Sequence, residues 1–313
     1  MGCVSRRRLP GDMLGAVQDP VEYAGSAAIA PVCEAATACW GDRAPLHPGY
    51  VWWSASPHHG SVADWRAAVW CDALGLPVAA AWVEGPSRAT VIAAHAHPRR
   101  AKLLEAAAHW AAAHGDRSLS TDVLDPDRAM VSAWKRAGVR VVDAPVFWLR
   151  ETHDLVGIRD PAPPPGHVVR PVASTVVDRS ARVRLHAAAW STSDHPSGFD
   201  VSAYAQLRRS PYYRPELDIV VEGPGRRLLA SALVWWDEET KVGLVEPVGV
   251  HPDARGLGLG RVAVLGALWA LRAEGGSQAV AWPRGDREDD APARLFAACG
   301  FVPGPRTVTL RHR

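Results

Sequence analysis

Lysine is scarce in this sequence, and neither sign of charge dominates. Lys102, Lys135 and Lys241 are the lysines among 35 basic residues, and arginine supplies the rest, a bias typical of coding in a GC-rich bacterial genome. The formal net charge of the 313 residues is +2, so no global electrostatic attraction to nucleic acid is indicated. We therefore expect a partner other than DNA or RNA.

Cysteine and long apolar runs are also scarce. The cysteines number 5 and form no C-x-x-C motif, which argues against a disulfide framework and against a zinc site. The pairs His58–His59 and His95–His97 lack a cysteine or carboxylate set at zinc spacing, so no metal is predicted. No run approaches the roughly 18 apolar residues of a membrane-spanning helix, so no membrane association is expected.

The N-terminal residues carry no complete targeting signal. Arg6, Arg7 and Arg8 are typical of the charged start of a signal peptide, but Asp12 and the polar segment 18–20 interrupt the apolar stretch that should follow. We expect residues 1–20 to be a loosely ordered start on a cytoplasmic protein.

The most informative stretch runs from Val245 to Leu271. It reads as an apolar strand, a His-Pro break, the glycine-rich turn Arg255–Gly260 and a long apolar helix that opens at Arg261. The first turn of a helix has backbone N–H groups without partners, and the helix dipole adds partial positive charge there. Glycines let a phosphate approach those groups without meeting a Cβ atom. The pattern predicts a phosphorylated ligand at residues 255–261.

Three glycine-rich phosphate motifs compete for this turn. The Walker motif needs a lysine after its last glycine, and none follows Gly260. The dinucleotide fingerprint is met by Gly258, Gly260 and Ala263, but residues 251–255 separate it from its strand, and the next strand ends in Trp-Pro-Arg. The third pattern, R-x-x-G-x-G after V-x-V-x-P, is met by Arg255, Gly258 and Gly260.

A second motif follows at a fitting distance. After a strand at 277–282, the run 290–301 matches the pattern N-x-x-A-x-x-L-Y-x-x-x-G-F at Leu295, Gly300 and Phe301. An acidic residue, Asp289 or Asp290, stands in place of the asparagine, and Phe296 stands in place of the tyrosine. The two motifs in this order resemble the GNAT superfamily of N-acyltransferases over about residues 168–313.

The resemblance implies acetyl-CoA as the cofactor. In GNAT enzymes the glycine loop holds the pyrophosphate, and the broken end of the central strand offers N–H groups to the acyl carbonyl and the pantetheine. The positions implied here are Val248, Gly249, Val250, Arg255, Gly256, Leu257, Gly258, Leu259, Gly260, Arg261 and Phe296.

Glu246 is the preferred general base for deprotonating an amine. Its side chain shares parity with Val248 and Val250 in an apolar strand, where partial desolvation would raise the pKa of a carboxyl. A structural ion pair with an arginine on a neighbouring element is the competing interpretation. Asp194 and His195, in the loop between the first two helices of this half, are the alternative catalytic residues.

The group that protonates the leaving thiolate stays open. Family members often use the tyrosine four residues before the final glycine, and this sequence has Phe296 there. Either Tyr204, Tyr212 or Tyr213 supplies the proton, or none is needed because coenzyme A thiolate is a fairly good leaving group.

Apolar periodicity and Gly/Pro breaks predict the other elements. In the first half we expect helices at 26–40, 99–114 and 128–136, and strands at 51–54, 67–70, 78–83, 90–96, 118–123 and 146–150. In the second half we expect strands at 168–171, 217–221, 227–236 and 241–250, and helices at 180–190 and 201–209.

The two halves share one order of elements. The interval from Pro98 to Gly138 is 40 residues and that from Pro252 to Gly300 is 48, and deletion of 253–260 removes the difference. That alignment places Arg99 on Arg261, Trp134 on Phe296 and Gly138 on Gly300. The chain is therefore predicted to be a tandem repeat whose first copy has lost the pyrophosphate loop.

The fold class follows as mixed α/β, with two tandem GNAT-like domains, each a mixed, mostly antiparallel sheet flanked by helices. Residues 21–156 form the degenerate copy, the proline-rich segment 157–167 is a stiff linker, and residues 168–313 form the catalytic copy.

The resulting expectation is an acetyl-CoA-dependent N-acetyltransferase acting on a small-molecule amine, such as a natural product or antibiotic, as a monomer or homodimer. Trp52, Trp53 and Trp82 are expected to help wall the acceptor cleft. The alternatives are an acyl-CoA-binding pseudoenzyme and, on a doubled GNAT fold, an aminoacyl transferase, for which a net charge of +2 gives no support.

Overall fold

The computed structural model describes residues 16–41, 46–192, 194–286 and 290–312. The α-helices are α1 Ile29–Ala38, α2 Pro48–Ser54, α3 Arg100–His114, α4 Arg128–Arg136, α5 Val176–Trp190, α6 Val201–Leu207, α7 Leu259–Ala273 and α8 Ala291–Cys299. The strands of the first half are β1 Val21–Ala24, β2 Arg66–Cys71, β3 Pro77–Glu84, β4 Arg88–Ala93, β5 Ser120–Leu124, β6 Val139–Val141 and β7 Val146–His153. Those of the second half are β8 Val168–Pro171, β9 Asp218–Glu222, β10 Leu228–Asp237, β11 Val242–Val250, β12 Gln278–Ala281, β13 Arg284–Asp286 and β14 Val302–His312.

The strands join into one 14-stranded sheet with the order β1-β2-β3-β4-β5-β14-β7-β12-β11-β10-β9-β8, while β6 and β13 pair off this path. Each half repeats the same plan: its first four strands are antiparallel, and its fourth and fifth run parallel. Gly138 and Gly300 both adopt positive φ just after a helix, at 86° and 97°. The predicted repeat is present in the topology.

The two halves exchange their last strands. The strand predicted at 146–150 as the last strand of the first half falls within β7, but β7 pairs with β12 of the second half, through Ala279–His153 and its neighbours. In return β14 pairs with β5 of the first half, from Thr307–Leu124 to Arg311–Ser120. The outer edges of β5 and β12 are thereby both covered by strands from the other half. Sequence periodicity identifies a strand but not its partner, so this exchange could not be predicted.

The predicted strand at 51–54 is wrong, because these residues lie in α2. His47 lies at the N-cap, and its Nδ1 accepts a hydrogen bond from the backbone N–H of Gly49 at 3.1 Å. Pro48 occupies the first helical position, where its fixed φ favours a helix. A Cβ on Gly49 would lie 2.2 Å from the Cβ of Trp235, so α2 can approach β10 only with glycine there.

Two apolar clusters cover opposite faces of the second half. The α7 core packs α7 and α8 on the sheet and includes Val234, Val245, Leu259, Leu265, Leu268 and Phe296. The interface cluster lies on the other face and includes Trp53, Phe199, Tyr204, Leu233, Trp235 and Leu244. Because Trp53 comes from α2, the first half completes the core of the second.

The described residues 16–20 and 157–167 contain neither a helix nor a named strand. Val17 makes an isolated bridge to Asp72, and residues 1–15 of the predicted loose start lie outside the description. In the segment 157–167, which was expected to be a linker, Ile158 is buried in the α7 core, so this segment packs onto the second half.

Candidate active site

The glycine-rich turn before α7 presents a row of backbone N–H groups. Gly256 and Gly258 adopt φ of 79° and 75°, the left-handed region that glycine adopts without strain. Within the described part of the chain, no hydrogen bond uses the N–H groups of residues 256–261. These groups, at the start of a helix of 15 residues, are available to an anion.

Close packing fixes the position of this turn. A Cβ on Gly260 would lie 3.1 Å from Val250 Cγ2 and 3.5 Å from Leu295 Cδ2, so glycine lets α7 sit against β11 and α8 together. The side chain of Arg255 reaches away from the turn, and its Nη2 donates to the carbonyl of Ala189 at 3.0 Å. Leu257 and Arg261 are exposed.

Strand β11 loses its partner on one side near the middle. It pairs with β12 only from Val242 to Leu244, and beyond that point its second edge is unpaired among the described residues. On its other edge, the pairing with β10 shifts between Val234–Val245 and Ala232–Val248, so β11 carries an extra residue there. The free edge after Leu244 leads toward the N-terminus of α7.

The bulge overturns the predicted side-chain parity of Glu246. Val245 belongs to the α7 core, and Val248 packs against it, although three positions separate them and a regular strand would turn them to opposite faces. Glu246 interacts electrostatically with Tyr50, which packs against the interface cluster together with Leu244. Glu246 therefore lies toward the first half, and not with Val248 and Val250.

The carboxyl of Glu246 has a raised pKa. Burial raises the pKa of its carboxyl to about 7, and the positive charge of Arg88 partly opposes this shift. Near neutral pH such a carboxylate can take a proton and release it again. The competing interpretation was an ion pair with an arginine. Arg88 interacts electrostatically with Glu246, but no salt bridge joins the two among the described residues.

The first half supplies the surroundings of Glu246. Arg88 Nη2 donates to the Tyr50 hydroxyl at 3.4 Å and lies 3.8 Å from the carboxylate of Asp122. Burial raises the pKa of Tyr50 to about 12. The pKa of Glu84 is also raised by burial, although Trp82 Nε1 donates to it at 3.0 Å. Sequence reasoning missed Tyr50 and Arg88, since their only signal was the Trp-rich character of the region.

A cluster of aromatic and imidazole rings continues from Tyr50 along the interface. The ring centroid of Trp53 lies 4.6 Å from that of His58, 5.7 Å from His186 and 6.4 Å from Trp235. Burial lowers the pKa of His186 to about 2, so this ring is neutral. Of the predicted cleft residues, Trp53 lies between the halves and Trp52 is half-buried beside it, whereas Trp82 lies within the core of the first half.

The alternative catalytic residues lie elsewhere. Asp194 and His195 are exposed in a turn in which the backbone N–H of His195 donates to Thr192 Oγ1 at 3.1 Å. Within the described chain no hydrogen bond or salt bridge joins either residue to Glu246.

Tyr204 and Tyr213, two of the candidate proton donors, form hydrogen bonds to the buried ion pair of Arg182 and Asp218. The hydroxyl of Tyr204 donates to Asp218 Oδ2 at 2.7 Å, and that of Tyr213 does so at 3.4 Å. Arg182 Nε donates to the other oxygen of Asp218 at 2.9 Å. Burial is the main cause that raises the pKa of both phenols. Their role is to satisfy a buried carboxylate, which makes them poor proton donors for a thiolate.

Phe296 is a core residue. It is 6% exposed and meets Phe301 edge to face with ring centroids 5.0 Å apart. Its predicted contact with the cofactor would have to involve the small part of the ring that remains exposed.

The equivalent cleft of the first half is closed. Strands β4 and β5 pair only at Arg88–Ser120, so they are unpaired with each other beyond this point, as β11 and β12 are after Leu244. Trp134, the residue aligned with Phe296, lines what remains, a cavity of about 10 Å³, which is room for no more than one water. Two N–H groups at the start of α3 are already bonded, because that of the N-cap residue Arg99 donates to His97 Nδ1 and that of Arg100 donates to the carbonyl of His97.

Metal and membrane features are not found in the described ranges. No group of three or more His, Cys, Asp or Glu side chains there is arranged to hold a metal ion. No described helix combines the length and apolar character needed to cross a bilayer.

Residues 185–301, which span the bulged strand, the free edge and the glycine turn, match the Acetyltransferase (GNAT) family. These residues form a GNAT-family domain. No curated protein sequence matches the chain.

Solved structures extend the likeness to both halves. A tandem GNAT protein from the clavulanic acid biosynthesis pathway, solved without AcCoA, is similar with a TM-score of 0.60 and 18% identity, over 94% of this chain and 97% of that one. A GCN5-related N-acetyltransferase from Sphaerobacter thermophilus is similar with a TM-score of 0.59 and 16% identity, over 97% and 96% of the two chains. The chain thus has a tandem GNAT fold, in which the second copy keeps the glycine turn and the first has lost it.

Proposed function

We propose that the protein is an acetyl-CoA-dependent N-acetyltransferase whose reaction takes place in the second GNAT copy. The observation that carries the proposal is the combination, on one strand and its following turn, of unpaired N–H groups at 256–261 and a carboxyl at Glu246 with a pKa of about 7. The helix start can bind the phosphates of a thioester cofactor, and the strand with a free edge connects it to the base. This arrangement suits the transfer of an acyl group from a phosphate-bearing thioester.

The glycine turn, the free edge of β11 and Glu246 would have separate roles in the reaction. The N–H groups of residues 256–261 would bind the pyrophosphate of acetyl-CoA, and the helix dipole of α7 would favour its charge. Backbone N–H groups on the free edge of β11, in Val248–Val250, would donate to the thioester carbonyl, where negative charge develops during attack. Glu246 would take the proton that the amine loses as its nitrogen bonds to the carbonyl carbon.

The leaving thiolate has a candidate donor from the first half. Phe296 has no hydroxyl, and Tyr204 and Tyr213 are held by Asp218. Tyr50 interacts with Glu246 and receives a hydrogen bond from Arg88, so we assign it the role of supplying a proton to the thiolate. The first copy would then contribute to catalysis through its side chains and not through a second cofactor.

The acceptor site would be the interface between the copies. Tyr50, Trp53 and His186 suit a molecule that is partly apolar or aromatic around its amine. A thiol-release assay with acetyl-CoA and a panel of primary amines tests the proposal. Amine-dependent release of free coenzyme A is expected. Tight binding of acetyl-CoA without release for any amine would favour the pseudoenzyme alternative.

A further inference from the structure

A basic cavity lies at the edge of the interface between the two copies. Its volume is about 500 Å³, and it is lined by Ser87, Arg88, Arg117, Ser118, Ser120, Arg311 and His312. The lining thus combines three guanidinium groups, an imidazole and three hydroxyls, with no carboxylate among them. Such a lining suits an anion.

The strand exchange builds this cavity. Arg88 at the start of β4 is paired with Ser120 at the start of β5, and Ser120 is paired with Arg311 near the end of β14. Residues that are paired across neighbouring strands project from the same face of a sheet. Because β14 comes from the second copy, neither copy could form the cavity alone.

The positive charge of the cavity is only partly compensated. The carboxylates of Glu84 and Asp122 both act on Arg88; Asp122 lies 3.8 Å from it, and the other oxygen of Asp122 accepts a hydrogen bond from Thr309 Oγ1 at 2.7 Å. Asp116 accepts hydrogen bonds from the backbone and the hydroxyl of Ser118. Neither Arg117 nor Arg311 forms a salt bridge within the part of the chain that the structure describes. Unpaired guanidinium groups at one place are suited to a bidentate carboxylate or phosphate.

Arg88 connects this cavity to the proposed reaction site. The same side chain that lines the cavity donates to Tyr50 and lowers the pKa of Glu246. Since Arg88 lines the cavity and also interacts with Tyr50 and Glu246, a small molecule that lies along this side chain can reach from the cavity to the proposed base.

We propose that the acceptor is a primary amine carrying a carboxylate or phosphate group, which Arg117 and Arg311 bind while the amine lies at Glu246. This proposal rests on the proposed function, since it assigns the substrate class of the same site. It also assigns the exchanged strand β14 a part in selecting the acceptor.

The test compares acceptors that differ only in charge. ω-Amino acids, ω-aminoalkyl phosphates and ω-amino alcohols of matched, increasing chain length are offered with acetyl-CoA, and kcat and KM are measured by thiol release. For chains long enough to bridge the site, the KM of the anionic acceptors should be at least about tenfold below that of the alcohols, which corresponds to about 1.4 kcal/mol. A stronger effect with the phosphates or with the amino acids identifies the anionic group.

Variants of Arg117 and Arg311 then test whether these residues cause the difference in KM between anionic and neutral acceptors. Replacement of both Arg117 and Arg311 by Gln should raise the KM for anionic acceptors to that for alcohols, while leaving the alcohols and acetyl-CoA affinity unchanged. Arg128→Gln, an exposed arginine outside the cavity, is the matched control and should change nothing. Equal KM values for charged and neutral acceptors, or an equal loss for both in the double variant, would overturn the proposal.

A binding measurement separates this proposal from the proposed function. Calorimetry with an ω-aminoalkyl phosphate and an ω-amino acid, in the presence of coenzyme A, reports the cavity without requiring turnover. If the parent binds these ligands and the double variant does not, the cavity assignment is supported even when no acceptor releases thiol. The absence of thiol release would contradict the acetyltransferase proposal instead. Absence of binding by both ligands, together with turnover of neutral amines, would reject the anionic acceptor alone.

Discussion

Arg100 donates two hydrogen bonds to the carboxylate of Asp127, from Nη1 at 3.3 Å and from Nη2 at 2.5 Å. The pair joins the first turn of α3 to the N-cap of α4, and both side chains are largely buried. In the second copy the corresponding helix α7 begins with the open glycine turn. An internal ion pair thus stands at the helix start of the first copy, where the second copy has an open glycine turn.

One coenzyme A is therefore expected to bind per chain, in the second copy. Gly258→Val should abolish this binding, because valine is strained at φ 75° and its side chain would occupy the space in front of the N–H groups. No protein atom lies within 4 Å of the added Cβ, so the fold should persist. Isothermal titration with acetyl-CoA measures both the stoichiometry and the loss.

Gly75→Val is the matched control for that variant. Gly75 has φ 79° and no atom within 4 Å of an added Cβ, but it lies in the turn between β2 and β3. It should carry the same backbone strain without affecting affinity. A saturable site that survives Gly258→Val would show that the first copy still binds the cofactor.

Glu246→Gln should lower kcat by roughly 10²–10⁴-fold with little change in acetyl-CoA affinity. Because the carboxylate is the active form and its pKa is about 7, parental activity should rise with pH through that value. The variant should lose this rise. Glu216→Gln, at an exposed glutamate, serves as the control. A variant with parental kcat and an unchanged pH profile would transfer the role of base to Asp194 or His195.

Tyr204→Phe should affect stability and not catalysis. It removes a hydrogen bond to the buried carboxylate of Asp218, which costs about 2 kcal/mol in the free energy of unfolding. Asp218→Asn should cost more, about 3–5 kcal/mol, because it leaves the buried Arg182 without its counter-charge. Denaturant unfolding and steady-state kinetics test both variants. A large loss of kcat in a folded Tyr204→Phe protein would restore Tyr204 as the acid.

Glu151 should make stability depend on pH. It is 1% exposed on β7, and burial raises the pKa of its carboxyl to about 7. Since the folded-state pKa exceeds the unfolded value, the folded state favours the protonated form, and this contribution is lost as pH rises through about 7. It amounts to about 3 kcal/mol at most. Urea unfolding from pH 5 to pH 8 should show a flatter profile for Glu151→Gln than for the parent, and parallel profiles would contradict the assignment.

The exchanged strands should prevent the second copy from folding by itself. A fragment of residues 168–313 lacks β7, so β12 keeps an open edge and β14 loses both of its long neighbours. A fragment of residues 144–313 regains β7 and should give a more cooperative thermal transition by circular dichroism. Equal transitions for the two fragments would show that β7 contributes nothing to the second copy.

The local patterns of this protein were readable from its sequence. The glycine turn, its flanking strand and helix, the repeat and most of the helices and strands follow from short-range rules of backbone conformation and apolar periodicity. The same rules identified Glu246 as a carboxylate in an apolar strand, and burial does raise its pKa.

Tertiary structure decided which elements meet. The bulge in β11 separated Glu246 from Val248 and Val250, because one extra residue reverses the face of every side chain that follows. The exchange of β7 and β14 brought Arg311 beside Arg88, and α2 brought Tyr50 to Glu246. These contacts join residues far apart in the chain, where strand pairing and packing, which short-range sequence patterns do not specify, determine the neighbours.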